Sequence, residues 1–171
     1  KKKYEDAENG CDLVLNNPDS NAELKGRCYN LKGMRKIYQD NDLKSALSEF
    51  NKALISFKDA GSPRRVAGME VNIGNIYNIL NERASAEKHW KRALQINQSI
   101  GNIEKEAQVL LSYGILFFEK LEFEEAIENY KEALRVYLLN NSTGADQNKI
   151  KASSDQISEL SREVISTMSD I

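Results

Sequence analysis

Between residues 63 and 80 the apolar side chains Met69, Ile73, Ile76 and Leu80 recur at intervals of three or four, and between 83 and 99 Ala86, Trp90, Ala93, Leu94 and Ile96 do the same. That interval places them on one face of a helix with 3.6 residues per turn, while the charged residues between them face water. Asn81 and Glu82 break the pattern between the two stretches, as Asn41 and Asp42 do earlier. DAGSP at 59–63 and SIGN at 99–102 break it between pairs. The pattern predicts an all-α chain with helices over 3–16, 21–39, 43–58, 63–80, 83–99, 103–120 and 123–140. Asp19 and Ser20, with Glu23 three residues after Ser20, predict a capping box at the start of the second helix.

The same residue types return at a fixed distance. Gly74, Tyr77, Ala86, Trp90 and Ala93 are followed forty residues later by Gly114, Phe117, Ala126, Tyr130 and Ala133, and preceded by Met34, Ile37, Ala46, Phe50 and Ala53. A period of this length marks a repeat architecture. The small residues are expected where the two helices of a unit touch. Phe50, Trp90 and Tyr130 are expected to point toward the first helix of the next unit, because one helix pair cannot bury its own apolar face. The second unit departs from this frame: Met34 stands in the glycine column with Gly33 one residue early, and Lys36 falls where an apolar residue is expected, so its first helix is expected to be shifted or packed less tightly.

The stretches NIGNIY with AEKHWKRAL, SYGILF with AIENYKEAL, and YNLKGMRKIY with ALSEFNKAL resemble the tetratricopeptide repeat family in its longer variety. The resemblance covers residues 4–140: a half unit over 3–18 and units over 21–61, 62–101 and 102–141. It implies a right-handed α-solenoid of antiparallel helix pairs whose first helices line a concave groove for an extended peptide or a partner's helix. Carried over by column, that groove holds Cys28, Leu31, Lys32, Arg35 and Gln39 in the second unit, Gly68, Val71, Asn72, Asn75 and Ile79 in the third, and Gln108, Leu111, Ser112, Ile115 and Glu119 in the fourth. Asn72 and Asn75 match the family's groove asparagines, whose amides pair with an extended backbone. Of the carboxylate-clamp subtype only Asn72 fits. A gradient from Lys32 and Arg35 to Leu111 and Ile115 suits a ligand with an acidic end and an apolar end.

Composition narrows the function. The chain has 171 residues, 40% hydrophobic and 29% charged, with no run of eighteen apolar residues, so no membrane span is expected. A formal net charge of -2 gives no footprint for nucleic acid. Cys11 and Cys28 lack metal-ligand spacing and are expected to be buried or half-buried thiols in a reducing, cytoplasmic compartment. The chain opens on KKKYEDAENG without an initiator Met and is expected to begin inside a unit, its first stretch matching only a second helix.

Chemistry is expected to be absent. The one histidine, His89, is expected on the outer surface without a paired carboxylate, and no glycine-rich phosphate loop occurs. Neither a cofactor nor a metal is expected. Over 142–171 the stripe Ile150, Ile157, Leu160, Val164, Met168 and Ile171 predicts a long helix that caps the repeats, with a dimerising coiled coil as the alternative. The expected function is a non-catalytic adaptor or scaffold that binds a protein. The alternative is a regulatory or sensor segment of a larger signalling enzyme or transcription regulator.

Overall fold

A computed structural model describes residues 2–140 and five helical positions beyond them, 155, 158, 159, 162 and 166; side chains are described over 9–138 and at those five. The capping or coiled-coil helix expected over 142–171 lies otherwise outside the described residues. Seven helices follow in order among the described residues: α1 (Lys2–Asn16), α2 (Ala22–Tyr38), α3 (Leu43–Asp59), α4 (Pro63–Ile79), α5 (Arg83–Ser99), α6 (Ile103–Glu119) and α7 (Phe123–Asn140). The described residues contain no strand, and the class is the all-α helical-repeat solenoid. Each end agrees with the periodicity to within one residue.

The junctions explain the regularity. A residue with left-handed backbone recurs every twenty positions: Asn41 (φ 49°), Gly61 (61°), Asn81 (60°), Gly101 (63°) and Leu121 (63°). After the last four, the next N–H reaches back to the carbonyl five residues earlier, at 3.0 Å for Ser62 to Phe57, 2.8 Å for Glu82 to Tyr77, and 2.9 Å for both Asn102 to Asn97 and Glu122 to Phe117. This is the Schellman closure, which satisfies carbonyls that a helix end would otherwise leave unpaired. Between α2 and α3 the closure is wider: Asp42 N donates to Lys36 O, six residues back, at 2.8 Å. Four residues separate these helices where three separate the later ones, and the additional residue sets α2 out of step. Counting from α2, the equivalent position in α4 is therefore 41 residues on, and Gly33 rather than Met34 is the partner of Gly74.

Packing corrects the expected role of the aromatic residues. A Cβ added at Gly33 would stand 2.5 Å from the Phe50 ring, one at Gly74 2.6 Å from the Trp90 indole, and one at Gly114 closer still to the Tyr130 ring. Each aromatic residue thus lies over the glycine of its own helix pair instead of reaching only for the next. Gly26 repeats the device two turns earlier, 2.7 Å from Phe57. Phe50, Trp90 and Tyr130 are all buried. Contact occurs through a missing side chain, so the ring replaces solvent at no cost in helix separation.

The start of α2 also differs from the expected capping box. Its N-cap is Asn21, whose Oδ1 accepts from Leu24 N at 2.8 Å. Glu23 instead accepts from Ser62 Oγ at 2.5 Å and pairs with Arg65 Nε at 3.4 Å, tying α2 to the start of α4.

The chain divides into two compact units, Lys1–Arg92 and Ala93–Ile171, with the division inside α5. The second has its core in Ala107, Leu110, Phe123, Ala126, Tyr130, Ala133, Val136 and Tyr137, with Leu94, Leu111, Phe117 and Leu134 packed against it.

Candidate functional site

A groove of about 700 Å³ opens in the first unit. Along α2 its lining residues are Arg27, Asn30, Leu31, Met34, Arg35, Tyr38 and Gln39, spaced so that one stripe of the helix faces it; Phe57 comes from α3, and Arg65 and Met69 from α4. Phe57 and Met69 are buried and form an apolar floor, while Leu31 (36% exposed) and Tyr38 (78%) stand at the surface. An exposed tyrosine beside an exposed leucine leaves apolar area in water that a partner could cover.

Among the described residues, the lining carries three guanidinium groups and no carboxylate. Glu23, paired with Arg65 at 3.4 Å, lies outside it. Arg35 Nε donates to Gln39 Oε1 at 3.1 Å, which steadies the two side chains along the helix. Asn30 Oδ1 is buried and has no hydrogen-bond partner. A buried acceptor without a donor is costly, so this oxygen favours an incoming N–H.

Of the residues expected to line the groove, Leu31, Arg35 and Gln39 do so. Lys32 Nζ instead pairs with Asp12 of α1 at 2.5 Å. Asn75 Oδ1 accepts from Trp90 Nε1 at 3.0 Å and so takes part in the packing of α5 on α4. Asn72 is half-buried and Ile79 exposed on α4. In the second unit, Ser112 Oγ donates to Gln108 O at 3.2 Å, Gln108 Oε1 accepts from Lys105 Nζ at 2.8 Å, Leu111 packs on the core and Ile115 is exposed. The residues missed, Arg27, Asn30, Met34 and Tyr38, follow from the additional junction residue. Aligning Gly33 with Gly74 puts Arg27, Asn30, Leu31, Met34 and Tyr38 in the columns of Gly68, Val71, Asn72, Asn75 and Ile79.

His89 is not the surface residue that its sequence neighbours suggested. Its Nδ1 lies 2.6 Å from Glu70 Oε2, its ring stacks on Tyr77 at 5.4 Å between centroids, and Glu70 is 1% exposed. The carboxylate comes from the adjacent helix, nineteen residues away in sequence, where a search along one helix does not find it.

Comparison with known proteins agrees with the helical-repeat fold. The family model described as "Tetratricopeptide repeat" matches residues 65–138. Residues 65–138 carry tetratricopeptide repeats. It is 33% identical over 122 residues to Protein CTR9 homolog of Arabidopsis thaliana, covering 66% of this chain and 11% of that protein. It is 36% identical over 63 residues to Protein O-mannosyl-transferase TMTC1 of Homo sapiens, covering 37% of this chain and 6% of that protein. The chain therefore spans about a tenth or less of the length of these two relatives. Among solved structures it is similar to BtubC (BKLC) from P. vanneervenii, with a TM-score of 0.73 at 14% identity over 96% of this chain and 72% of that one. At that identity the likeness speaks for the fold alone. Tetratricopeptide repeats mediate protein–protein interaction, and no helix among the described residues is long and apolar enough to cross a membrane.

Proposed function

We propose that this chain is a non-catalytic interaction module that takes an acidic peptide segment with apolar side chains into the groove of the first unit. The observation that carries this reading is the convergence of Arg27, Arg35 and Arg65 with Leu31, Met34 and Tyr38 around one opening with no carboxylate among its described lining residues. Guanidinium groups bind carboxylates through paired N–H donors. The apolar stripe covers a ligand's hydrophobic side chains, and Asn30 Oδ1 accepts a backbone N–H. In this reading the protein acts as an adaptor in the cytoplasm.

Fluorescein-labelled peptides that alternate Glu or Asp with Leu or Trp provide the test, against a panel in which Lys replaces each acid. The acidic panel is expected to bind, and Arg27→Ala with Arg65→Ala to weaken it at least tenfold at low salt and less at high salt, because exposed charges are screened over about 8 Å at physiological ionic strength. Equal binding of both panels, or no effect of the double substitution, would rule out the groove as the acidic-peptide site.

A further inference from the structure

Cys11 and Cys28 are both free and buried, at 7% and 6% exposure. Cys11 stands five residues before the end of α1 at Asn16, and Cys28 six after the start of α2 at Ala22. Chain reversal between these helices brings the two buried positions to the same height on neighbouring helices. The adjoining residues mark the same seam, since Asp12 meets Lys32, one turn beyond Cys28, at 2.5 Å.

Two buried thiols at the same height on neighbouring helices, with no metal-ligating cluster among the described residues, have one further chemistry open to them. We propose that Cys11 and Cys28 are a dithiol modification site that is oxidised by a small disulfide such as glutathione disulfide and covalently ties α1 to α2. In the first step one thiol, as its thiolate, attacks a sulfur of glutathione disulfide and expels one glutathione. The second thiol then attacks the mixed disulfide and expels the other. The oxidant's S–S bond breaks and the Cys11–Cys28 bond forms. Two electrons pass to glutathione disulfide, and the two thiol protons finish on two glutathione molecules.

The surroundings set the conditions. Burial, and then the hydrogen bond and charge of Cys28, push the Cys11 thiol up to about 12, Lys32 opposing and Asp12 adding to the shift. The closed seam thus holds Cys11 protonated and unreactive. Oxidation then requires α1 to lift from α2, and once formed the bond prevents that opening. The proximity of the second thiol favours the intramolecular disulfide over a lasting glutathione adduct.

The test uses the full chain, incubated with glutathione disulfide at neutral pH, quenched with N-ethylmaleimide and digested with trypsin without reduction. The expected product is the peptide Tyr4–Lys25 joined to Cys28–Lys32, lost on adding dithiothreitol. The oxidised chain should show a higher thermal midpoint than the reduced one, and Cys28→Ala should abolish that response. Separate glutathione adducts on both residues, cross-links between molecules, or two free thiols under excess oxidant would each overturn the proposal. The peptide map of the unsubstituted chain decides the matter even where a variant folds poorly.

Discussion

The Glu70 carboxylate lies 2.6 Å from His89 Nδ1 in a seam where the glutamate side chain is 2% exposed and the histidine 14%. Removing one partner of such a pair is asymmetric. His89→Leu leaves a buried carboxylate without its partner, at a cost of about 3–5 kcal/mol. Glu70→Leu removes the buried acid itself and leaves a ring that keeps some access to water, so it should cost clearly less, and the double substitution should recover most of the loss. Urea unfolding of the three variants measures this order; equal costs for the two single changes would show that the charge of Glu70 is not what the seam must compensate.

The glycines separate packing from helix propensity. Ala is favoured over Gly inside a helix by about 1 kcal/mol. At Gly68 an added Cβ meets nothing within 4 Å, so Gly68→Ala should stabilise by up to that amount. At Gly114 the same atom would enter the Tyr130 ring, so Gly114→Ala should destabilise, with overpacking of about 1–3 kcal/mol exceeding the gain. Gly114→Ala combined with Tyr130→Leu should be less unstable than the two losses added. Additive losses in that double-mutant cycle would place the ring elsewhere.

Leu121 has φ 63° where the equivalent junctions use Asn or Gly, and its side chain is 67% exposed. A leucine in this region is strained and gains no burial in return. Leu121→Gly should therefore raise stability by roughly 0.5–1 kcal/mol, since the relief of strain exceeds the added freedom of the unfolded chain. A lower thermal midpoint for this variant would contradict the assignment of strain.

Acid should weaken the fold through a few identified carboxylates. Hydrogen bonds from the Ser45 side chain and backbone hold Asp42 below its ordinary value, the Lys36 hydrogen bond lowers Asp40, and the Arg135 hydrogen bond lowers Glu132. Each folded value lies below the unfolded one, so the stability they contribute is present above about pH 4 and lost as pH falls through the depressed values. Asp42→Asn keeps a cap acceptor for Ser45 N but cannot titrate. Its melting midpoint should therefore fall less between pH 5 and pH 2 than that of the parent, in buffers spanning about that range.

These outcomes follow the boundary between what the sequence showed and what it hid. Helix ends were legible because each falls at a turn residue that the chain announces, Asn81 or Gly101 for example, and because the Schellman closure admits little variation in length. The one-residue offset of α2 was visible as Gly33 standing beside Met34, yet its consequence for the groove was not, since one period of forty carried across both helices of a unit hides an insertion in the junction between them. Side chains that meet across helices, Glu70 with His89 or Glu23 with Ser62, have no periodic signature. Arg65 and Phe57 joined the groove for the same reason, arriving from neighbouring helices rather than from the column that defined it.

Asn72 and Asn75 entered as a pair with one expected role, and their contacts now separate them. Asn75 Oδ1 accepts the indole N–H of Trp90 at 3.0 Å, and Trp90 is 2% exposed, so Asn75→Ala deprives a buried donor of this acceptor. The expected cost is about 1–3 kcal/mol. Asn72 is half-buried on the same face of α4, and its replacement by Ala should change stability by no more than about 0.5 kcal/mol, as surface changes usually do. Asn75→Asp keeps an acceptor oxygen of the same shape and should recover most of the loss, whereas Asn75→Leu should not. Trp90 fluorescence followed through urea unfolding reports both the stability and the environment of the indole. If Asn75→Ala and Asn72→Ala unfold at the same urea concentration, the hydrogen bond to Trp90 contributes nothing, and Asn75 returns to the candidates for holding a ligand backbone.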